Sequence, residues 1–192
     1  MTNFIEEYDL SNLSLCDDIL RLFWDANERG LTYPGKSGPA AKAQPDIKKS
    51  TDFWLQDADK LGPPEKYNWH LYHSELTSFI DSYLEKYKFL EYGGEFVSRQ
   101  LPLIQWYKPG EGYYRWHIDG AQMSTCDRAM VFMTYLNDVE DGGGTMFYHQ
   151  DYTVKPKKGK TIIFPAGYTH LHKGEVSQTQ DKFIITGWLW WK

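Results

Sequence analysis

The run FIITGWLWW at residues 183–191 closes a series of short apolar runs that fills the second half of the chain. Turn-forming residues separate these runs, for example at Pro109-Gly110 and in the segment Asp141-Gly142-Gly143-Gly144. Many short strands between turns are typical of an antiparallel sandwich or barrel. The strands that this pattern predicts are Leu101–Tyr107, Tyr113–Ile118, Ala129–Leu136, Thr145–Tyr148, Thr161–Phe164 and Phe183–Trp191.

The first half of the chain has helical periodicity instead. Apolar residues from Cys16 to Phe23 follow the i, i+3, i+4, i+7 spacing of an amphipathic helix, which we expect over about residues 14–29. A second stripe, from Leu76 to Tyr87, predicts a helix over residues 73–90 with Ser74 as its N-cap. The sequence therefore predicts helices first and strands afterwards.

A stretch rich in glycine, proline and lysine separates the two helices and predicts a long loop followed by a short helix around residues 52–61. Long loops in compact domains are often functional lids, and the loop Leu31–Ser50 is either such a lid or an ordinary surface loop. The 192 residues are expected to form one α+β domain. Residues 1–95 would be its helical support and loop region, and residues 96–192 its β-rich core.

Composition narrows the class of protein. The chain has 21 basic and 26 acidic side chains, a formal net charge of −5, which argues against electrostatic capture of nucleic acid. Its apolar runs are far shorter than the roughly 20 residues of a membrane-spanning helix. The N-terminus has no secretory pattern, and there are two cysteines, Cys16 and Cys126. We therefore expect a cytoplasmic protein that has no partner in the membrane.

Two short motifs carry candidate metal ligands. In His117-x-Asp119 an imidazole and a carboxylate are two residues apart, and such side chains point to the same side of an extended chain. Two more imidazoles follow at His170 and His172. Two histidines and one carboxylate form the facial triad of non-haem Fe(II) oxygenases, which leaves metal positions open for a co-substrate and O₂. The spacing alone does not decide which late histidine takes part.

One lysine is placed to hold an organic acid. The chain has no arginine after Arg128, so a buried cation in the last third must be a lysine. Lys182 precedes the apolar run at residues 183–191. A buried ammonium needs a counter-anion, which the carboxylate of a ligand would provide. The alternative is that Lys182 is simply the polar first residue of a strand.

These residues belong to a longer ordered pattern, which resembles the prolyl 4-hydroxylase-like branch of the Fe(II)/2-oxoglutarate-dependent oxygenases over roughly residues 100–190. The matching positions are Tyr107, Gly110, Tyr113/Tyr114, His117-x-Asp119, Arg128, Tyr135-Leu136-Asn137, Gly143-Gly144-Thr145-x-Phe147, Val154-x-Pro156-Lys157-Lys158-Gly159, Phe164-Pro165, His172-x-Gly174 and Lys182. The resemblance implies a double-stranded β-helix, the cupin-like jelly roll, as a core buttressed by the N-terminal helices.

The resemblance also implies roles for individual residues. His172 is preferred to His170 because it has Gly174 two residues and Lys182 ten residues after it. The implied catalytic iron ligands are His117, Asp119 and His172. The implied residues at the far carboxylate of 2-oxoglutarate are Lys182, Thr145 and Tyr107. Tyr107 precedes His117 by ten residues, one more than expected, so Tyr113 or Tyr114 could take its place.

Three residues are candidates for the substrate side: Arg128, Trp116 and His170. Arg128 could instead form a structural ion pair, Trp116 could pack in the sheet, and His170 could support a ligand rather than face the substrate. Asp119 argues against a halogenating relative, which needs a small residue at that position.

The implied activity is hydroxylation of an unactivated C–H bond, with conversion of 2-oxoglutarate and O₂ to succinate and CO₂. Fe(II) would be the metal, and ascorbate a reductant. The substrate would be a prolyl residue or another amino acid, peptide or small molecule, with no nucleic-acid partner. The alternative function is a non-catalytic, cupin-like module that binds a metal or a ligand.

Overall fold

The computed structural model describes residues 2–37 and 42–192. Two α-helices lie in these parts of the chain, α1 at Ser14–Glu28 and α2 at Trp69–Lys86. The strands are β1 Glu6–Asp9, β2 Tyr33–Pro34, β3 Thr51–Trp54, β4 Phe96–Val97, β5 Leu103–Tyr107, β6 Arg128–Tyr135, β7 Thr145–Phe147, β8 Tyr152–Val154, β9 Lys160–Pro165, β10 His172–Gly174 and β11 Lys182–Trp191. Short 3₁₀ helices occur at Leu55–Lys60, Pro64–Lys66, Lys88–Gly93 and Tyr168–His170.

The strands form two antiparallel sheets. The large sheet has the order β1-β9-β6-β11-β5-β3-β2, with β4 paired to β11 as an eighth strand. The small sheet has the order β10-β7-β8. This is the jelly-roll core that the sequence predicts, and the mostly β architecture with few helices is confirmed.

Side chains of β11 point alternately to the two faces of the large sheet, so this one strand contributes residues to both faces. Phe183 and Ile185 belong to the core under the helices, where Phe23 of α1 packs against Phe183 with ring centroids 5.6 Å apart. Lys182 and Ile184 point to the other side and line a cavity. The period of two in a strand therefore places the helices behind the sheet and the cavity in front of it.

The second helix differs from its prediction at both ends. It begins at Trp69, directly after Asn68, whose φ of 52° is outside the helical region. Ser74 is inside the helix rather than at its cap, and its hydroxyl donates to the carbonyl oxygen of His70. The 3₁₀ helix Lys88–Gly93 takes over the last predicted turn.

Two other predicted elements are wrong. Residues 113–118 form no continuous strand, because their pairing is limited to isolated bridges of Tyr113 with Lys48 and of His117 with His172. The predicted helix at residues 52–61 is the strand β3 followed by a 3₁₀ helix. In this strand Asp52 and Trp54 point to one face of the sheet and Phe53 points to the other. Because the segment is a strand and not a helix, Asp52 and Trp54 both line the cavity.

The first 95 residues contribute strands as well as helices, since β1, β2 and β3 all lie in the large sheet. The division into residues 1–95 and 96–192 stays a prediction. Residues 38–41 of the predicted lid are outside the described residues. Across the described ranges, none of the helices combines the length and the apolar character that crossing a membrane requires.

Candidate active site

The structure brings His117, Asp119 and His172 together. One potential ligand atom of each lies within 4.8 Å of the others. His172 begins β10, and its backbone exchanges two hydrogen bonds of 2.9 Å with His117, which fixes the two histidines side by side. Nε2 of His172 is 3.4 Å from Oδ2 of Asp119. Two imidazoles and a carboxylate therefore converge on one point.

Both histidines are oriented by main-chain carbonyl groups. Nδ1 of His117 is 3.0 Å from the oxygen of Arg115, and Nδ1 of His172 is 2.9 Å from the oxygen of His170. An Nδ1–H that donates to a carbonyl leaves the Nε2 lone pair free for a metal. Burial, followed by the nearby His172, lowers the pKa of His117 to about 3. His117 is therefore a neutral imidazole at pH 7, the form that binds a metal.

Tyr113 covers one face of the His117 ring. The ring centroids are 3.6 Å apart and the planes differ by 5°. Burial and the charge of Asp119 raise the pKa of Tyr113 to about 12. Tyr114 points elsewhere, because its hydroxyl donates to the carbonyl oxygen of Gly110. Of the two tyrosines that the sequence leaves open, Tyr113 is the one beside the candidate metal ligands.

The triad lines a cavity of about 450 Å³, and Lys182 lines the same cavity. Lys182 is 6% exposed and lies opposite Tyr107 in the pairing of β11 with β5. Its Nζ is 5.6 and 5.5 Å from the ring centroids of Tyr107 and Tyr135. In the part of the chain that the structure describes, it forms no ion pair. Burial lowers the pKa of Lys182 to about 8, although Glu175 acts in the opposite direction.

Two hydroxyl groups lie near this lysine. Tyr107 donates a 2.7 Å hydrogen bond to Oε1 of Gln105, and burial holds its pKa well above the ordinary range. The hydroxyl oxygen of Thr145 is 2.7 Å from that of Tyr135. Tyr107 and Thr145 both line the cavity, so the predicted group around Lys182 is brought together.

Arg128 pairs with Asp119 and also lies at the cavity. Its Nη1 donates a 3.4 Å hydrogen bond to the main-chain oxygen of Asp119 and is 3.9 Å from Oδ1 of that residue. Its guanidinium carbon lies 3.9 Å from the ring centroid of Trp188. Arg128 and Trp188 also line the cavity. Arg128 is therefore both an ion-pair partner of a candidate ligand and part of the cavity wall.

Two residues predicted to face the substrate do not line this cavity. Trp116 precedes His117 and points outward, where it packs edge-on against Tyr148 with ring centroids 5.3 Å apart. His170 is in a 3₁₀ helix rather than in the strand of His172, so the two imidazoles do not share a face. Nε2 of His170 is 2.8 Å from the oxygen of Asn3, and its ring borders a different cavity. The main-chain oxygen of His170 lies 2.9 Å from Nδ1 of His172.

A buried ion pair in the cavity wall is absent from the sequence-based prediction. Nζ of Lys48 is 2.8 Å from Oδ2 of Asp52. Both residues belong to segments predicted as loop or helix, where a lysine and an aspartate are ordinary solvated residues. The pair becomes visible only when β3 places Asp52 on the inner face of the sheet.

Comparison with known proteins agrees with this geometry. Residues 102–190 match the family described as the 2OG-Fe(II) oxygenase superfamily. No curated protein sequence gives a significant match to the chain.

Solved structures give the fold of the whole chain. A viral collagen prolyl hydroxylase from Paramecium bursaria Chlorella virus-1, in a 2OG complex, has a TM-score of 0.69 and 22% identity over 98% of this chain and 97% of its own. A prolyl 4-hydroxylase from Pseudomonas putida has a TM-score of 0.71 and 20% identity, with coverages of 98% and 94%. A prolyl hydroxylase from Trichoplax adhaerens, in complex with a hypoxia inducible factor peptide fragment, has a TM-score of 0.74 and 18% identity. The match covers 98% of this chain and 84% of the Trichoplax chain.

Residues 102–190 thus carry the sequence pattern of the 2OG-Fe(II) oxygenase superfamily, and the chain as a whole has the fold of the solved prolyl hydroxylases. The family implies Fe(II), 2-oxoglutarate and O₂ as its cofactor and co-substrates.

Proposed function

We propose that the protein hydroxylates an unactivated C–H bond of a prolyl residue, or of another amino-acid or peptide substrate, and releases succinate and CO₂. The observation that carries this proposal is one cavity that holds both a histidine, aspartate, histidine cluster and a buried lysine without an ion-pair partner among the described residues. A peptide substrate is supported by the Trichoplax neighbour, whose structure contains a peptide.

The residues fit the group that the family implies. Two Nε2 atoms and one carboxylate are the donor set of non-haem Fe(II) oxygenases. We propose His117, Asp119 and His172 as the ligands of Fe(II). Lys182 fits the far carboxylate of 2-oxoglutarate, because a buried ammonium is stabilised by a counter-anion and forms charge-assisted hydrogen bonds with it. The bound iron, with 2-oxoglutarate and O₂, would supply the oxidation of the C–H bond.

The protein's own side chains orient the reactants and exclude water. The carbonyl groups of Arg115 and His170 hold the ligand imidazoles in one tautomer. Tyr113 shields the His117 ring from solvent. The hydroxyls of Thr145 and Tyr107 line the same cavity as Lys182, and each would donate to the same carboxylate in place of its present partner, Tyr135 for Thr145 and Gln105 for Tyr107. The contacts around the two histidines are already formed in the structure, so these side chains need little reorganisation.

We also propose ascorbate as the reductant that keeps the iron ferrous, and a cytoplasmic location. The location is supported by Cys16 and Cys126, which are both free thiols.

The test begins with anaerobic addition of Fe(II) and 2-oxoglutarate to the full chain, which should produce a visible metal-to-ligand charge-transfer band. In air, the protein should form succinate, and a panel of prolyl peptides and free amino acids should contain a member that gains the mass of one oxygen. His172→Ala is the negative control. Absence of both the band and succinate in the unsubstituted protein would contradict the proposal.

A further inference from the structure

The wall of the active-site cavity contains the buried ion pair of Lys48 and Asp52, whose side chains are 4% and 2% exposed. Both residues line the cavity that contains the triad. The proposed iron and 2-oxoglutarate sites assign no role to either of them. Stability is a weak explanation, because replacing a buried ion pair by packed apolar groups is often neutral or stabilising.

Asp52 has more hydrogen-bond partners than Lys48 has. Asp52 accepts from Lys48 at 2.8 Å and from the hydroxyl of Ser50 at 2.7 Å. Lys48 has three N–H donors, and Asp52 is its one hydrogen-bond partner among residues 2–37 and 42–192. Two donors of this buried ammonium therefore have no acceptor among the described residues. Buried donors of this kind are normally matched by an acceptor.

The backbone at Gly35 closes the pair on one side. A Cβ atom at Gly35 would lie 2.1 Å from Oγ of Ser50, 3.1 Å from Oδ2 of Asp52 and 3.2 Å from Cε of Lys48. The main chain at Gly35 therefore lies directly against the ion pair. Any side chain larger than that of glycine at this position would displace the ion pair. A ligand reaches the ammonium from the cavity side.

Lys48 is also close to the candidate iron ligands. Its main chain pairs with Tyr113 in an isolated bridge, and the Tyr113 ring stacks on His117. Lys182, by contrast, is on β11, two strands away from β3 in the sheet. One strand, β5, therefore lies between the ion pair and Lys182, and its residue Tyr107 is close to both.

We propose that Lys48 is a specificity-determining residue that donates a hydrogen bond to a carbonyl-type oxygen of the substrate, adjacent to the carbon that is oxidised. Asp52 is a positioning residue that holds the ammonium in place. The oxygen is either the carboxylate of a free amino acid or the amide carbonyl of a peptide, since both offer the same acceptor. The role of this oxygen in turnover rests on the proposed function, but its binding to Lys48 does not.

The experiment uses the full chain with ¹⁵N-labelled lysine and follows the Nζ signal of Lys48 by NMR. The probes are sodium acetate for a carboxylate and N-methylacetamide for an amide carbonyl, added both to the metal-free protein and to the form loaded with Zn(II) and 2-oxoglutarate. A saturable shift of the Lys48 signal with either probe supports the proposal, and the more effective probe identifies the source of the oxygen. Lys36, an exposed lysine at the same cavity, is the control and should show no saturable shift. The absence of a saturable Lys48 shift with both probes overturns the proposal, whether or not the protein hydroxylates anything.

Kinetics separate substrate contact from a purely structural role. Lys48→Met leaves the Asp52 carboxylate buried without its cation, so the paired variant Lys48→Met/Asp52→Asn is measured beside it. With any substrate found in the panel, the paired variant should raise the KM for that substrate by about ten- to a hundredfold, the effect of one hydrogen bond to a charged group. The KM for 2-oxoglutarate should stay within about twofold, and Lys48→Arg should restore most of the substrate affinity. A change confined to the KM for 2-oxoglutarate would contradict the proposed contact.

Discussion

Lys182→Met is predicted to stabilise the ligand-free protein while it weakens 2-oxoglutarate binding. The ammonium is 6% exposed, and burial lowers its pKa from 10.5 to about 8. Each unit of pKa shift corresponds to about 1.36 kcal/mol. The lowered pKa therefore means that the charged lysine destabilises the ligand-free folded protein by roughly 3 kcal/mol at pH 7. Methionine has a similar length and no charge, so it removes this cost without creating a large cavity.

The pH dependence has a definite sign. Between about pH 8 and pH 10.5 the unfolded chain keeps the lysine proton and the folded protein releases it. The free energy of unfolding of the unsubstituted protein therefore rises with pH across this window. In Lys182→Met this rise is absent. The difference between the two proteins should be roughly 3 kcal/mol at pH 7 and should shrink as the pH approaches 10.5.

Urea unfolding of both ligand-free proteins at pH 7 and pH 9.5 measures this difference, and succinate formation measures the KM for 2-oxoglutarate. We expect Lys182→Met to raise this KM by about ten- to a hundredfold, because a hydrogen bond to a charged group contributes ~1.5–3 kcal/mol. Lys155→Met, at an exposed lysine, is the matched control and should change neither quantity. A less stable Lys182→Met protein at pH 7, or an unchanged KM for 2-oxoglutarate, would refute the reasoning.

Four other substitutions test further parts of the structure. His172→Ala should abolish both the charge-transfer band and succinate formation, whereas His170→Ala should keep both, and the opposite pattern would overturn the ligand assignment. Thr145→Val should raise the KM for 2-oxoglutarate by about two- to tenfold through the loss of one hydrogen bond, with Fe(II) affinity unchanged in a metal titration. Gly187→Ala should lower the free energy of unfolding in urea by about 1–3 kcal/mol, because its Cβ would lie 2.3 Å from Cζ of Phe132, and a stability equal to that of the unsubstituted protein would show that the core adapts.

The candidate site was largely predictable from sequence because its chemistry depends on short local spacings. The two-residue spacing of His117 and Asp119 and the ten-residue spacing of His172 and Lys182 are the main features that identify the oxygenase pattern. The match of residues 102–190 to the 2OG-Fe(II) oxygenase superfamily confirms the resemblance that this pattern carries. The roles of the individual ligands stay predictions.

The wrong or missed predictions share one physical cause. Tertiary contacts, which a local sequence pattern does not contain, determine the conformation of these segments. The segment at residues 113–118 looks like a strand, but its backbone pairs with two different partners through isolated bridges. His170 and His172 have strand-like spacing, yet a 3₁₀ turn places their rings in different cavities. The strand β1 has the polar sequence EEYD, which carries no apolar signal, and it is defined by its pairing with β9.

The Lys48 and Asp52 pair was beyond local reasoning for the same reason. A lysine in a lysine-rich loop is expected to be a solvated charge, and its burial depends on the approach of Gly35 and on the position of β3 in the large sheet. Whether the loop Leu31–Ser50 is a lid stays a prediction. Its described part already supplies Lys48 to the wall of the cavity.

The most direct test is a crystal structure of the full chain with Mn(II), as a redox-inert substitute for Fe(II), and 2-oxoglutarate. We predict a single metal ion bound by Nε2 of His117, Nε2 of His172 and a carboxylate oxygen of Asp119, with the far carboxylate of 2-oxoglutarate on Nζ of Lys182. Metal bound at other side chains, or 2-oxoglutarate bound without contact to Lys182, would contradict the assignment of this cavity as the active site.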